Sequence, residues 1–218
     1  RGEVMVNQKI VDMFKRQEYK VNQLDICAIV EKSRSKEIIA FNIKKEVSQI
    51  KELLMKPPSE SEVYKIISGK GGFSSIALIK FILDNENIED LYCSTFRIGK
   101  KQINILNDAF FEGKLKNVFL VTNNLQTESD QSQEKYNYYG YISEICRTNK
   151  WKLVNTNNHS KIILAKTKHN FYVIETSSNL NENPKIEQFN FENSKRLYEF
   201  YLLLFKELIQ NGETKETS

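Results

Sequence analysis

Apolar and polar residues alternate along this chain with two different periods, and each change of period marks an element. Val4, Ile10, Val11 and Phe14 recur at near-helical spacing, and residues 24–30 (LDICAIV) then read as a short buried strand. Residues 31–36 are a polar turn and residues 37–41 (EIIAF) a second strand. Ile43, Val47, Ile50 and Leu54 form an apolar stripe along a helix that must stop before Pro57 and Pro58. Residues 1–55 therefore predict a small α-β-β-α extension. Residues 56–62 (KPPSESE) mark the boundary, because tandem prolines end a helix and the remainder is polar, and the main domain is expected over residues 63–210.

Beyond the boundary the pattern predicts a helix over 74–83, a strand over 91–96, a helix over 100–111, a strand over 118–122 and a helix over 136–149. That alternation is the mark of βαβ units with parallel strands. Strands over 151–154, 161–165 (KIILA) and 171–176 (FYVIET) follow without helices, and the short loop 166–170 makes the last two antiparallel. A final helix over 193–209 carries a wide apolar face of Leu197, Tyr201, Leu204, Phe205 and Leu208, and the polar tail 211–218 reads as disordered. The expected fold is α/β, with a mixed, mainly parallel sheet flanked by helices.

Composition adds exclusions. The 218 residues are 40% hydrophobic and 28% charged, as in an ordinary globular domain, and no apolar run approaches the roughly 18 residues of a membrane span. The first residues lack the succession of a secretory signal, so a cytoplasmic setting without membrane contact is expected. Cys27, Cys93 and Cys146 are scattered without CxxC spacing, which argues against a disulfide framework and against a zinc site. The net charge of +4 is small, but it has a place: between Ile145 and Ile174 there is no acid, while Arg147, Lys150, Lys152, Lys161, Lys166 and Lys168 supply six positive charges. The window reads either as a solvated basic face or as an anion site.

Within it lies His159-Ser160-Lys161, ahead of Ile162, Ile163 and Leu164. Residues two apart on a strand share a face, so the imidazole and the ammonium converge. The next strand ends in Thr176-Ser177-Ser178-Asn179, where Ser177 and Asn179 are spaced in the same way. In antiparallel neighbours, the start of one strand meets the end of the next, so the two pairs fall together. Downstream, Glu187 is an acid able to accept the Nδ1 proton of His159 and fix its tautomer.

These residues resemble the phospholipase D superfamily, phosphodiesterases and nucleases whose signature is HxK(x)4D(x)6GSxN. The similarity is strongest over residues 158–189: NHSKIIL resembles the HxK strand and ETSSNLNENPKIEQF the GSxN strand with its acidic sequel. Residues 91–99 (LYCSTFRIG) look like the first core strand of such domains, while residues 1–55 match nothing in the family. Three departures stand out: Lys166 falls where the motif has Asp, Thr176 replaces the motif glycine, and the half-motifs lie further apart. The resemblance implies that His159 attacks phosphorus to give a phosphohistidine, that Lys161, Ser177 and Asn179 bind phosphate oxygens, and that Glu187 orients the imidazole. It requires no metal and no cofactor. A second histidine is needed as acid for the leaving group, and with one HxK here the resemblance implies a homodimer sharing its active site. Nucleic acid is the expected substrate, with Lys70, Ser94 and Thr95 as further substrate contacts. The alternative is an inactive module that keeps the phosphate or nucleic-acid pocket.

Three other features have plainer readings beside functional ones. His169 falls in the loop at the opposite end of its strand from His159, as a surface histidine. The glycine-rich stretch 68–75 does not fit GxxxxGK[ST], and it reads as a turn ahead of a helix or as a loop bordering the active face. Tyr136, Tyr138, Tyr139 and Tyr141 either stack bases or give one helix a buried and a wet face, and the greasy run 198–205 belongs to the core or to a dimer contact.

Overall fold

The computed structural model describes residues 21–22, 26–32, 37–43, 50, 54–60, 62–68, 74–124, 138–181 and 186–216. Its strands are β1 (Val21–Asn22), β2 (Ile26–Lys32), β3 (Glu37–Ile43), β4 (Glu62–Ser68), β5 (Ile88–Ser94), β6 (Leu115–Asn123), β7 (Lys152–Thr156), β8 (Ile162–Thr167), β9 (Phe171–Thr176) and β10 (Glu187–Asn193). They form one sheet in the order β1-β2-β3-β4-β10-β9-β8-β5-β6-β7. Four helices are bounded within the described residues: α1 (Ile76–Leu83), α2 (Lys100–Phe111), α3 (Tyr139–Thr148) and α4 (Lys195–Glu216).

The mixed α/β architecture is as expected, but the balance of pairing is not. Six of the described strand pairs are antiparallel, and only β3-β4, β5-β6 and β6-β7 are parallel. The sheet is therefore mainly antiparallel, which corrects the expectation. The cause is two strands the pattern did not show. β4 lies between the tandem prolines and the glycine-rich stretch, and β10 (EQFNFEN) intersperses its phenylalanines with Glu, Gln and Asn, which disfavour strands. Tertiary burial overrides that propensity: Phe189 and Phe191 are fully enclosed beneath the sheet.

Side chains of β8 alternate between two cores, as the period of two requires. Ile163 and Ala165 face the layer that holds α1, α2 and α3, with Phe189 and Phe191 beside them. Leu164 faces α4, where Val121, Val154 and Val173 meet Tyr198 and Phe205. Helix α1 is buried at every position but Lys80, so it is a core helix rather than an amphipathic one. Helix α4 runs on to Glu216, so residues 211–216, expected in a disordered tail, are helical.

The strands of the extension continue the sheet, because β3 pairs parallel with β4 from Glu37↔Glu62 to Ile43↔Ser68. Ile50 and Leu54, from the expected stripe, are buried in the main core. The helix expected near the start of the chain lies outside the described residues.

The pairing directions put the ends of β4, β5, β6, β7 and β9 and the starts of β8 and β10 along one edge of the sheet.

Candidate active site

At that edge the two expected pairs come together. β8 and β9 are joined in the register Ile162↔Glu175, and Thr176 N–H donates to Lys161 C=O at 3.2 Å just beyond it. His159 and Lys161 therefore sit beside Ser177 and Asn179. Lys161 Nζ lies 3.2 Å from His159 Nδ1 and donates to the His159 carbonyl at 2.8 Å. Burial lowers the Lys161 pKa from the ordinary lysine value, and the negative charge of Glu187 opposes that shift.

Asn179 is half-buried, and its Oδ1 accepts the Phe96 N–H at 3.2 Å. With the oxygen so engaged, the amide group of Asn179 offers N–H donors at the edge. Ser177 Oγ donates to the buried Glu187 carboxylate and accepts the Gln188 N–H at 3.1 Å. Glu187 thus holds Ser177 and acts on Lys161 through its charge. The ring of His159 packs 5.3 Å from that of Phe96.

Beneath this surface lies a hub at Asn158, which the HxK pattern did not flag. Its side chain is buried, and Nδ2 donates to Ser94 Oγ at 3.0 Å and to the carbonyls of Thr95 and Val121 at 3.1 and 3.4 Å. Oδ1 accepts Ser160 N–H at 3.0 Å and Ser160 Oγ at 2.8 Å, and the Asn158 carbonyl accepts Asn123 Nδ2 at 2.7 Å. One amide thereby ties the ends of β5 and β6 to the start of β8.

Ser94 and Thr95, expected as substrate contacts, are placed below the edge as part of this scaffold. Both are buried; Ser94 bonds to Asn158 and Ser160, while Thr95 Oγ1 donates to Arg97 C=O at 2.8 Å and accepts Leu180 N–H at 3.0 Å. Lys70 lies outside the described residues. His169 is exposed in the turn between β8 and β9, at the opposite edge from His159, a separation of about 20 Å along a strand of this length.

The six cations of the basic window do not gather at the site, which corrects the reading of that window as one anion site. Arg147 pairs with Glu144 at 2.7 Å, and Lys166 pairs with Glu89 at 3.0 Å and Asp90 at 3.7 Å at the far end of β8. Lys152 and Lys168 also belong to the far edge, since they start β7 and follow β8. Only Lys161 reaches the active edge, because each strand carries the chain from one edge to the other. Among the described residues, other cations there come from Arg97, Lys100 and Lys101, in the segment leaving β5, and all three are exposed.

The described residues contain no cluster of three or more His, Cys, Asp or Glu fit to hold a metal. No described helix is long and apolar enough to cross a membrane.

The fold of this sheet and its helices is shared with part of a polyphosphate kinase of known structure. The chain superposes on polyphosphate kinase from Porphyromonas gingivalis with TM-score 0.54 and 16% identity, over 73% of this chain and 28% of that one. It thus spans little more than a quarter of that enzyme's length. Weaker likenesses are to Nuc, a phospholipase D family member from Salmonella typhimurium (TM-score 0.46, 16% identity, 69% of this chain and 94% of Nuc), and to phosphatidylserine synthase from Haemophilus influenzae (0.44, 15%, 69% and 38%). No protein-family model and no curated protein matches the sequence.

Proposed function

We propose that the chain is a metal-independent phosphodiesterase acting on nucleic acid through His159. The observation that supports this best is the convergence of His159, Lys161, Ser177 and Asn179 at one sheet edge, with Glu187 buried behind them. In the proposed reaction, His159 Nε2 attacks phosphorus and the bond to the leaving oxygen breaks, giving a phosphohistidine. Water then attacks phosphorus, the N–P bond breaks, and the imidazole is regenerated. Lys161 and the Asn179 amide hold the nonbridging oxygens, where charge accumulates in the transition state.

Nucleophilic attack needs the proton on Nδ1. Lys161 now faces that nitrogen at 3.2 Å, and the substrate phosphate draws the ammonium away. Glu187 then serves as the Nδ1 partner, and Ser177 is released to donate to phosphate.

The leaving oxygen needs a proton donor, and His169 at the far edge is out of reach. A second copy of His159 is the donor we assign, in a homodimer with one shared site; once it has protonated the leaving oxygen it takes the proton that the attacking water loses, which restores it.

One contact favours the alternative of a phosphate-binding module without turnover: Lys161 donating to Nδ1 leaves a neutral His159 with its proton on Nε2, the non-nucleophilic tautomer. Nuclease assays with EDTA on wild type and His159→Ala separate the two. Turnover by wild type that is lost in the variant supports catalysis. Equal background in both, with salt-sensitive DNA binding retained, overturns it in favour of the binder. Light scattering tests the shared site, and a fully active monomer refutes it.

A further inference from the structure

Beside His159, the segment leaving β5 builds a ridge of alternating cations and rings. Phe96 packs against the His159 ring, and the guanidinium of exposed Arg97 lies 5.6 Å from the Phe96 centroid. The next residues are pinned to the Asn179 loop: Ile98 bridges to Leu180, and Gly99 N–H donates to the Leu180 carbonyl at 2.8 Å. Lys100 then opens α2, and its Nζ sits 4.6 Å from the ring of Tyr141 in the first turn of α3. Tyr141 is 37% exposed, and its hydroxyl is fixed on Asn104 Oδ1 at 2.6 Å. Lys100 stands three positions after Arg97, so the two cation-ring pairs lie within about 11 Å of each other along the backbone.

The electrostatic setting agrees in sign. Helices α1, α2 and α3 each follow a strand that ends at the active edge, so their N-termini open there, and none has an acid in its first turn. The acid of α3, Glu144, is held by Arg147. No described carboxylate in these first turns competes with a bound anion.

We infer that Phe96, Arg97, Lys100 and Tyr141 form a track for single-stranded nucleic acid leading to the phosphate at His159, a reading that rests on the phosphodiesterase proposal above. Cations spaced along the ridge suit successive phosphates, and partly exposed rings beside them suit unpaired bases. A duplex keeps its bases stacked inside, so it gains from the cations and loses the rings. A phospholipid presents one phosphodiester and leaves the second cation-ring pair without a role.

The test uses the whole chain with labelled single-stranded DNA, the same sequence as RNA, and the DNA duplex, alongside bis-p-nitrophenyl phosphate as a diester too small to reach the ridge. Arg97→Ala and Tyr141→Ala are each expected to lower kcat/KM on single strands about tenfold relative to the small diester, the loss of one stacked base. The DNA and RNA arms show which sugar the track accepts. The inference is overturned when both variants leave that ratio unchanged, or when wild type holds duplex as tightly as single strand. Failure of wild type to hydrolyse the small diester overturns the catalytic reading instead. In that case, anisotropy with the same oligonucleotides still decides the track: tenfold weaker single-strand binding in the variants upholds it, and unchanged binding removes it.

Discussion

Lys166 Nζ lies 3.0 Å from Glu89 Oε2, an ion pair that joins β8 to β5 at the edge opposite His159. Asp90 stands 3.7 Å from the same ammonium. The phospholipase D motif that residues 158–189 resemble has Asp where Lys166 stands, and here an ammonium faces two carboxylates instead. Lys166 ties β8 to β5, which is a structural task at the edge opposite His159.

Restoring the motif residue is therefore expected to harm the protein. Lys166→Asp sets a third carboxylate against Glu89 and Asp90 and lowers the urea midpoint, with no gain in phosphodiesterase activity. The double variant Lys166→Asp/Glu89→Lys recovers part of the midpoint. Denaturation curves with unchanged m-values check both. A rise in activity from Lys166→Asp alone would show that the motif position acts on the chemistry.

Asn158 is the second point of leverage. Asn158→Ala takes the Asn158 partner from the Ser160 N–H and the Thr95 carbonyl, while the Val121 carbonyl keeps the Thr95 N–H at 3.0 Å, at a cost on the order of 3 kcal/mol for buried groups of this kind. Asn158→Asp costs at least as much, because a carboxylate oxygen replaces the donor that faces two carbonyls and Ser94 Oγ. Thermal or urea unfolding reads the loss. Phosphate binding should weaken together with it, since His159 and Lys161 hang from the same turn.

The residues explain which features were legible in the sequence. The proximity of His159, Lys161, Ser177 and Asn179 was legible because their strands carry plain apolar runs, and two adjacent antiparallel strands bring a start and an end together. β10 was missed because only Phe189 and Phe191 mark it among polar residues, and its strand state is set by β4 and β9 on either side. The basic window misled because sequence proximity ignores which edge a residue reaches, and Lys161 and Lys166, five apart, end up at opposite edges. Asn158 gave no signal beyond its place before His159. Residues 97–101 carry a signal of their own in the sequence, a basic run directly after a strand and at the start of a helix.

At the far edge, Glu86 accepts hydrogen bonds from Thr167 Oγ1 at 2.6 Å, from Asn170 Nδ2 at 2.9 Å and from the Tyr172 hydroxyl. Burial pushes its pKa up, but those donors and the nearby His169 outweigh burial, and the net shift is downward. A carboxylate with a depressed folded pKa contributes stability that is present above its unfolded value and is lost as pH falls through the folded one. Glu86→Gln should therefore be less stable than wild type at neutral pH, and the gap should close as the buffer is taken below the usual glutamate range of about 4.3. Urea midpoints across that range check it; a gap independent of pH would mean the contribution is packing alone.

The same reasoning applied to Lys161 gives a prediction about turnover. The folded pKa is lowered by burial, and the charge of Glu187 works in the opposite direction, keeping the ammonium protonated to higher pH. Only the protonated form donates to phosphate, so kcat/KM should fall on the alkaline side at a pH below the ordinary lysine value of about 10.4. Glu187→Gln removes the opposing charge, so the Lys161 pKa drops further and the alkaline limb moves to lower pH. Lys161→Arg, whose charge persists through this range, should abolish that limb while lowering the plateau, because a guanidinium fork does not occupy the place of an ammonium. Profiles of kcat/KM for the three proteins on bis-p-nitrophenyl phosphate decide the matter. A limb that stays in place in Glu187→Gln would assign the alkaline ionisation to a group other than Lys161.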